Sequence, residues 1–178
     1  MKKIKKILIT LAALVTVGGA SSAALSLPRA VQAQTTKTAT VFPKKMRGTW
    51  YSYDTTTKKV NKLKFTKKTQ ISFDEQGQKL VQTLHSKKTA PLDPQFDQDY
   101  VNWIVIAGQP KAHGRKWLSI EGFDHGAGAG VFYNVARLKG HQVLSTAVGA
   151  GIWQTKHAYK TAKLAQKFQQ RHYPHFEY

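Results

Sequence analysis

The chain has no cysteine and few acidic residues, and beyond its N-terminal segment it has no long apolar run. Each absence removes a class of function. Without cysteine there are no disulfides, thiolate metal sites, cysteine nucleophiles or lipid-modified cysteine anchors, so the fold must be held by its apolar core. A second apolar segment long enough to span a bilayer is missing. No His-Glu-x-x-His spacing and no Gly-Lys-Ser/Thr phosphate-loop ending occurs in the chain. No metal and no cofactor is therefore expected.

What is present begins with Lys2, Lys3, Lys5 and Lys6, which precede an uncharged apolar run over residues 7–17. That order is the n-region and h-region of a secretory signal peptide. As a helix the run would reach about 16 Å, roughly half a bilayer core, and Gly18, Gly19 and Ser21 then dilute it. Cleavage is expected after Ala33, where Val31-Gln32-Ala33 follows Pro28. Ser21-Ser22-Ala23 is the second site, and an uncleaved anchor is the alternative. The expected organisation is a signal peptide over residues 1–33, a flexible Gln, Thr and Lys linker over 34–40, and one β-rich domain over 41–178.

The charge survives that cut. Lys2, Lys3, Lys5, Lys6 and Arg29 leave with the peptide, so 23 of the 28 basic residues remain against 9 acidic ones, a net charge near +14 in place of +19. A disulfide-free, lysine-rich exported domain is most at home outside a Gram-positive cell. With no Leu-Pro-x-Thr-Gly sorting sequence near the C-terminus, the mature protein is expected to be soluble or held at that cell by non-covalent contacts.

Along residues 41–178 the dominant period is two. Leu63 and Phe65 share one parity while Lys62 and Lys64 take the other, the alternation of a strand with one buried face. Ile71 and Phe73 repeat it, as do Leu80 and Leu84 with Lys79 and Thr83 opposing. Residues 101–107 are apolar on both faces and predict a central strand. Residues 116–123, 131–138 and 142–148 predict three more, bounded by Gly, Pro, Asp or Lys-rich turns. Near the end the period changes. Tyr159, Ala162, Ala165 and Phe168, with Leu164 one position over, share one side of a helix predicted over residues 155–171, with Lys160, Lys163 and Lys167 opposite. The expected fold is mainly β, an antiparallel barrel or curved sheet with one C-terminal α-helix; a β-sandwich is the alternative.

Gly48-Thr49-Trp50 stands at the start of the first predicted strand, where lipocalins and related small barrels carry a Gly-x-Trp motif. The helix after the last strand is similar to their layout. Residues 43–54, which open on Pro43-Lys44-Lys45-Met46-Arg47, together with Leu63-Lys64-Phe65-Thr66 and Gly149-Ala150-Gly151-Ile152-Trp153, resemble the uncharacterised small extracellular proteins of lactic-acid bacteria. The resemblance covers most of the chain after residue 40. It implies a secreted protein with a lipocalin-like β-barrel and brings no activity with it.

Three groups of residues are candidates for chemistry. Glu121, Asp124 and His125 are the minimum set for acid-base work and would make the chain an extracellular hydrolase of a wall or host polymer. Turn chemistry accounts for Asp124 and the following Gly126-Ala127-Gly128-Ala129-Gly130, and a hairpin loop is the favoured reading because residue 131 opens a strand and not the helix a phosphate loop requires. Trp50, Trp103, Trp117 and Tyr133, with Arg47, are candidate contacts for a small apolar ligand in the barrel, although core packing accounts for each aromatic taken singly. Lys58, Lys59, Lys62, Lys64, Lys67 and Lys68, with Lys160, Lys163 and Lys167 on the helix, are the candidate polyanion contacts. One-signed charge of this size attracts polyanions. An exported chain meets anionic cell-wall polymers or glycans, and no dedicated nucleic-acid motif is present. The expected function is a secreted, non-enzymatic binding protein at the cell surface.

Overall fold

A computed structural model describes residues 39–73, 76–86, 98–123 and 130–178. Residues 1–33, the expected signal peptide, and most of the expected linker lie outside the described residues. The described elements are β1 (Gly48–Asp54), β2 (Lys59–Phe65), β3 (Thr69–Phe73), β4 (Lys79–His85), β5 (Trp103–Gly108), β6 (Lys111–Ala112), β7 (Arg115–Lys116), β8 (Leu118–Gly122), β9 (Val131–Leu138), β10 (His141–Val148), β11 (Trp153–Tyr159) and α1 (Ala162–Phe168). Nine strands close a barrel in the order β1-β11-β10-β9-β8-β5-β4-β3-β2, while β6 and β7 form a separate hairpin. The fold is a mainly β barrel with one C-terminal helix, and the sandwich is set aside.

The period-two pattern sets the register. Trp50 pairs with Leu63 and Gly48 with Phe65, so these side chains share the inner face while Lys62 and Lys64 stay outside. A slip of one residue would exchange the two sets and drive ammonium groups into the core. Phe42, Met46, Trp50, Phe65, Leu84, Ile106, Leu118, Tyr133 and Leu144 belong to one buried cluster inside the wall. Fully burying a side chain of this kind contributes roughly 1.5–3 kcal/mol. The cluster is closed at one end by the chain entering over residues 39–47, where Phe42 N–H donates to Lys67 O at 2.9 Å and Trp50 Nε1 donates to Met46 O at 2.6 Å. This is the plugged end. The turns joining β1 to β2, β3 to β4 and β10 to β11 lie together at the opposite, hairpin end.

The structure corrects the sequence expectation in three places. The barrel is not wholly antiparallel, because β4 and β5 run parallel with Thr83 opposite Trp103. Residues 86–102 separate them, a crossover of the length a parallel pair demands. The strand predicted over 116–123 divides after Lys116, since Arg115 and Lys116 pair with the β6 residues and Leu118 begins the barrel strand. The helix predicted over 155–171 is shorter at both ends. Residues 153–159 are β11, paired with β10 through Ser145↔His157 and Val143↔Tyr159. Hairpin pairing with the preceding strand outweighed a local helical spacing that is genuine only from Ala162 onward.

Helix α1 is capped by Thr161, whose side-chain oxygen accepts from Leu164 N–H at 3.2 Å. Its Ala165, Leu164 and Phe168 pack with Val143, Tyr159, Tyr51 and Tyr53 on the outer wall. No helix among the described residues is long and apolar enough to cross a membrane.

Candidate functional site

The wall of the barrel separates the predicted ligand contacts. Trp50 and Tyr133 are inside, buried and linked through Phe65, whose ring meets Tyr133 edge-on at 5.4 Å. Burial raises the Tyr133 hydroxyl pKa, and the nearby Gln70 side chain partly opposes the shift. Trp117 is equally buried but sits outside with Ala147 and Ile152, its Nε1 donating to Ala112 O at 3.3 Å. Trp103 is also outside, stacked on His85 at 3.6 Å with Tyr100 at its edge. Burial depresses the His85 pKa, and Lys68 adds to the effect. Arg47 lies at the plugged end with Nε donating to Phe42 O at 2.9 Å. The five therefore share no single pocket, although Trp117 and Tyr133 both line a small cavity of about 70 Å³ beside Lys45 and Met46.

Solvent reaches the inner face nearer the hairpin end. Asn61, Leu80 and Lys156 are exposed there, and Ser52, Leu63, Ser72, Gln82 and Thr146 are half-buried. Two openings flank the β1–β2 hairpin. On one side β1 is held to β11 at Tyr51↔Tyr159 alone, and a cavity of about 110 Å³ opens beside Ser52, Asp54, Asn61 and Lys156. On the other, β2 pairs with β3 through Lys64↔Ile71 and Phe65↔Gln70, then parts from it around a depression of about 360 Å³ lined by Asp54, Lys59, Asn61, Lys62 and Phe73. Asp54 accepts the Thr57 and Thr56 N–H groups, which hold its carboxyl below the usual range, with Lys156 assisting.

The predicted polyanion contacts are distributed around the molecule. Lys58 and Lys59 are at the hairpin end, Lys62 and Lys64 on the outer face of β2, Lys67 and Lys68 at the plugged end, and Lys163 and Lys167 on α1, all exposed. Lys160 differs from the rest. Its ammonium stands 3.4 Å above the Trp50 ring and donates to Arg47 O at 3.3 Å, and burial lowers its pKa. No described lysine or arginine forms an ion pair with a described carboxylate; the described ion pair joins His113 to Glu177 at 3.5 Å.

Glu121 lies on β8, 3.4 Å from Ser119 Oγ. Asp124 and His125 lie outside the described residues, so the acid-base cluster has no described geometry. Among the described residues no group of three or more His, Asp or Glu is arranged to hold a metal ion.

Sequence reading missed one constellation. His157 is buried on the outer face of β11, with Nδ1 3.0 Å from Ser145 Oγ and Nε2 2.8 Å from Tyr178 Oη. Tyr178 Oη accepts the Tyr173 N–H at 2.7 Å, and Tyr173 Oη meets Tyr159 Oη at 3.1 Å. The C-terminal segment is thus tied across the wall, and Thr155 N–H donating to Glu177 O at 2.8 Å extends the tie. Burial, with His172 and Arg115 adding like charge, lowers the His157 pKa to about 4. Ser145 is fully buried, so this serine-histidine contact braces the wall and offers no nucleophile. The alternation of Thr155, His157 and Tyr159 was the available signal, hidden because those residues are not all apolar.

No protein family, curated protein or solved structure matches this chain.

Proposed function

We propose that this chain is a secreted, non-enzymatic binding protein with a lipocalin-like barrel, held electrostatically on anionic polymers or glycans of the outer surface of a Gram-positive cell. The observation that carries this reading is the set of exposed lysines with no described carboxylate partner. Cations without internal counterions sustain a positive potential that a polyanion neutralises. The n-region and h-region at the start of the chain and the resemblance to extracellular proteins of lactic-acid bacteria support export. Attachment of this kind is salt-labile, because the screening length falls to about 3 Å near molar salt. A molar-salt wash of intact cells is expected to release the surface-bound protein, and retention through that wash would sink the proposal.

A second reading, a carrier of a small apolar ligand, is favoured by the exposure of Leu80 on the inner face near the hairpin end. Native mass spectrometry of protein purified from its own medium is expected to show an added mass if this reading holds. A bare-chain spectrum counts against it.

A further inference from the structure

We infer that the plugged end of the barrel is the surface that binds the polyanion, and that it takes a linear phosphodiester polymer and not a lipid bilayer. The inference rests on the surface-binder reading above and adds to it a place and a partner chemistry. Register brings several separate segments to this end: residues 39–47, the β2–β3 turn, and the β9–β10 turn. They carry Lys44, Lys45, Lys67, Lys68 and Lys139, all exposed. Phe42 N–H bonding to Lys67 O holds the first two segments together, and Lys45 Nζ reaches Val135 O on β9 at 3.4 Å. The described acidic residues, Asp54, Asp99, Glu121 and Glu177, belong to none of these segments.

The opposite end has a different character. Lys58, Lys59, Lys79 and Lys156 are exposed there beside Asp54, whose carboxyl feels Lys156. Phe73, Leu80, Val101, Val148 and Trp153, the exposed large apolar side chains of the barrel strands and of the turn into β5, also lie towards that end. A bilayer-binding surface joins basic residues to apolar ones that enter the acyl boundary. The hairpin end joins the two, whereas the lysines of the plugged end have no exposed large apolar side chain among them in the described segments, which favours a fully hydrated polyanion at the plugged end.

The head groups also indicate phosphate. Arg47 commits its Nε to Phe42 O, and apart from Arg137, exposed near the end of β9, the exposed cations around it are ammonium groups. Ammonium binds phosphate as a compact point charge and needs no planar bidentate partner, so it tolerates the turning geometry of successive phosphodiesters.

The test compares two variants with the same change in charge. One carries Lys44→Gln, Lys45→Gln, Lys67→Gln and Lys68→Gln; the other carries Lys58→Gln, Lys59→Gln, Lys79→Gln and Lys156→Gln. Binding to poly(glycerol phosphate) is measured by calorimetry over a salt series, with circular dichroism to confirm the fold. The first variant is expected to bind at least about tenfold more weakly at low salt, with a salt slope shallower by about 2 to 3, while the second stays within about twofold. Equal losses in the two variants overturn the assigned surface and leave the general electrostatic reading standing. Absence of salt-sensitive binding by the unaltered protein overturns that reading as well. Binding to phosphatidylglycerol vesicles but not to the polymer overturns the choice of partner.

Discussion

At the scale of single residues, the most consequential side chain is a buried one. His157 is enclosed by Ser145, Tyr173, Phe176 and Tyr178, with Arg115 and His172 as the nearby cations. No described carboxylate pairs with it to stabilise an imidazolium. Its pKa is about 4 in the folded chain against 6.5 for the free side chain. The unfolded chain therefore binds the extra proton between those pH values, and the folded state is weakened as pH falls through that window. The loss is about 1.4 kcal/mol per pH unit and about 3 kcal/mol in total, whereas above pH 6.5 the residue is neutral in both states and adds no slope. Urea midpoints taken between pH 7 and pH 4 are expected to show this decline. A His157→Gln variant is expected to be less stable by about 2 kcal/mol at pH 7, through two disturbed hydrogen bonds, and to show a flatter decline. If its slope matched that of the parent, the acid sensitivity would belong to other groups.

At the scale of elements, the β1–β2 hairpin is the least secured part of the wall. Its two strands pair with each other at seven positions, from Gly48↔Phe65 to Asp54↔Lys59, yet β1 meets β11 at one position and β2 meets β3 at two. The outer half of the hairpin therefore stands between two openings. By contrast, β9 and β10 pair along seven positions in the centre of the buried wall. Local opening is cheapest where few contacts and many solvated backbone groups coincide. Amide exchange over residues 52–61 is expected to be faster than over residues 133–146 by on the order of a hundredfold. Equal protection would show that the hairpin tip is held more firmly than its pairing indicates. The same elements show what the sequence could and could not disclose. Leu63 and Phe65 alternate cleanly with Lys62 and Lys64, and β2 was legible because one of its faces is wet. β11 was not legible, because its buried face consists of Thr155, His157 and Tyr159, two of them read as polar. The helical spacing of Tyr159, Ala162 and Ala165 then drew the whole stretch into one predicted helix. The candidate ligand contacts are dispersed for a related reason. Composition identifies an aromatic residue on a strand, but only register decides the side of the wall, and Trp103 and Trp117 fell outside.

At the scale of the whole molecule, the barrel acts as a spacer between two unlike ends. Lysines without described acidic neighbours gather where the chain plugs the barrel, and the exposed Phe73, Leu80, Val148 and Trp153 lie towards the other end. A molecule held by its plugged end would therefore present its hairpin turns, with the openings beside β1 and β2, to the medium. The lack of cysteine makes this orientation directly measurable, since one introduced thiol reports without background. Gln142 is exposed at the start of β10, near the plugged end, and Thr55 is exposed just after β1, at the hairpin end. Neither position carries a charge, so Gln142→Cys and Thr55→Cys leave the electrostatics intact. With poly(glycerol phosphate) bound at low salt, maleimide labelling of the Gln142→Cys variant is expected to slow severalfold while that of the Thr55→Cys variant is unchanged. Molar salt should restore the first rate, because the polymer then dissociates. Equal protection of both thiols would mean that the polymer wraps the barrel without orientation, and the difference in character between its two ends would then have no part in binding.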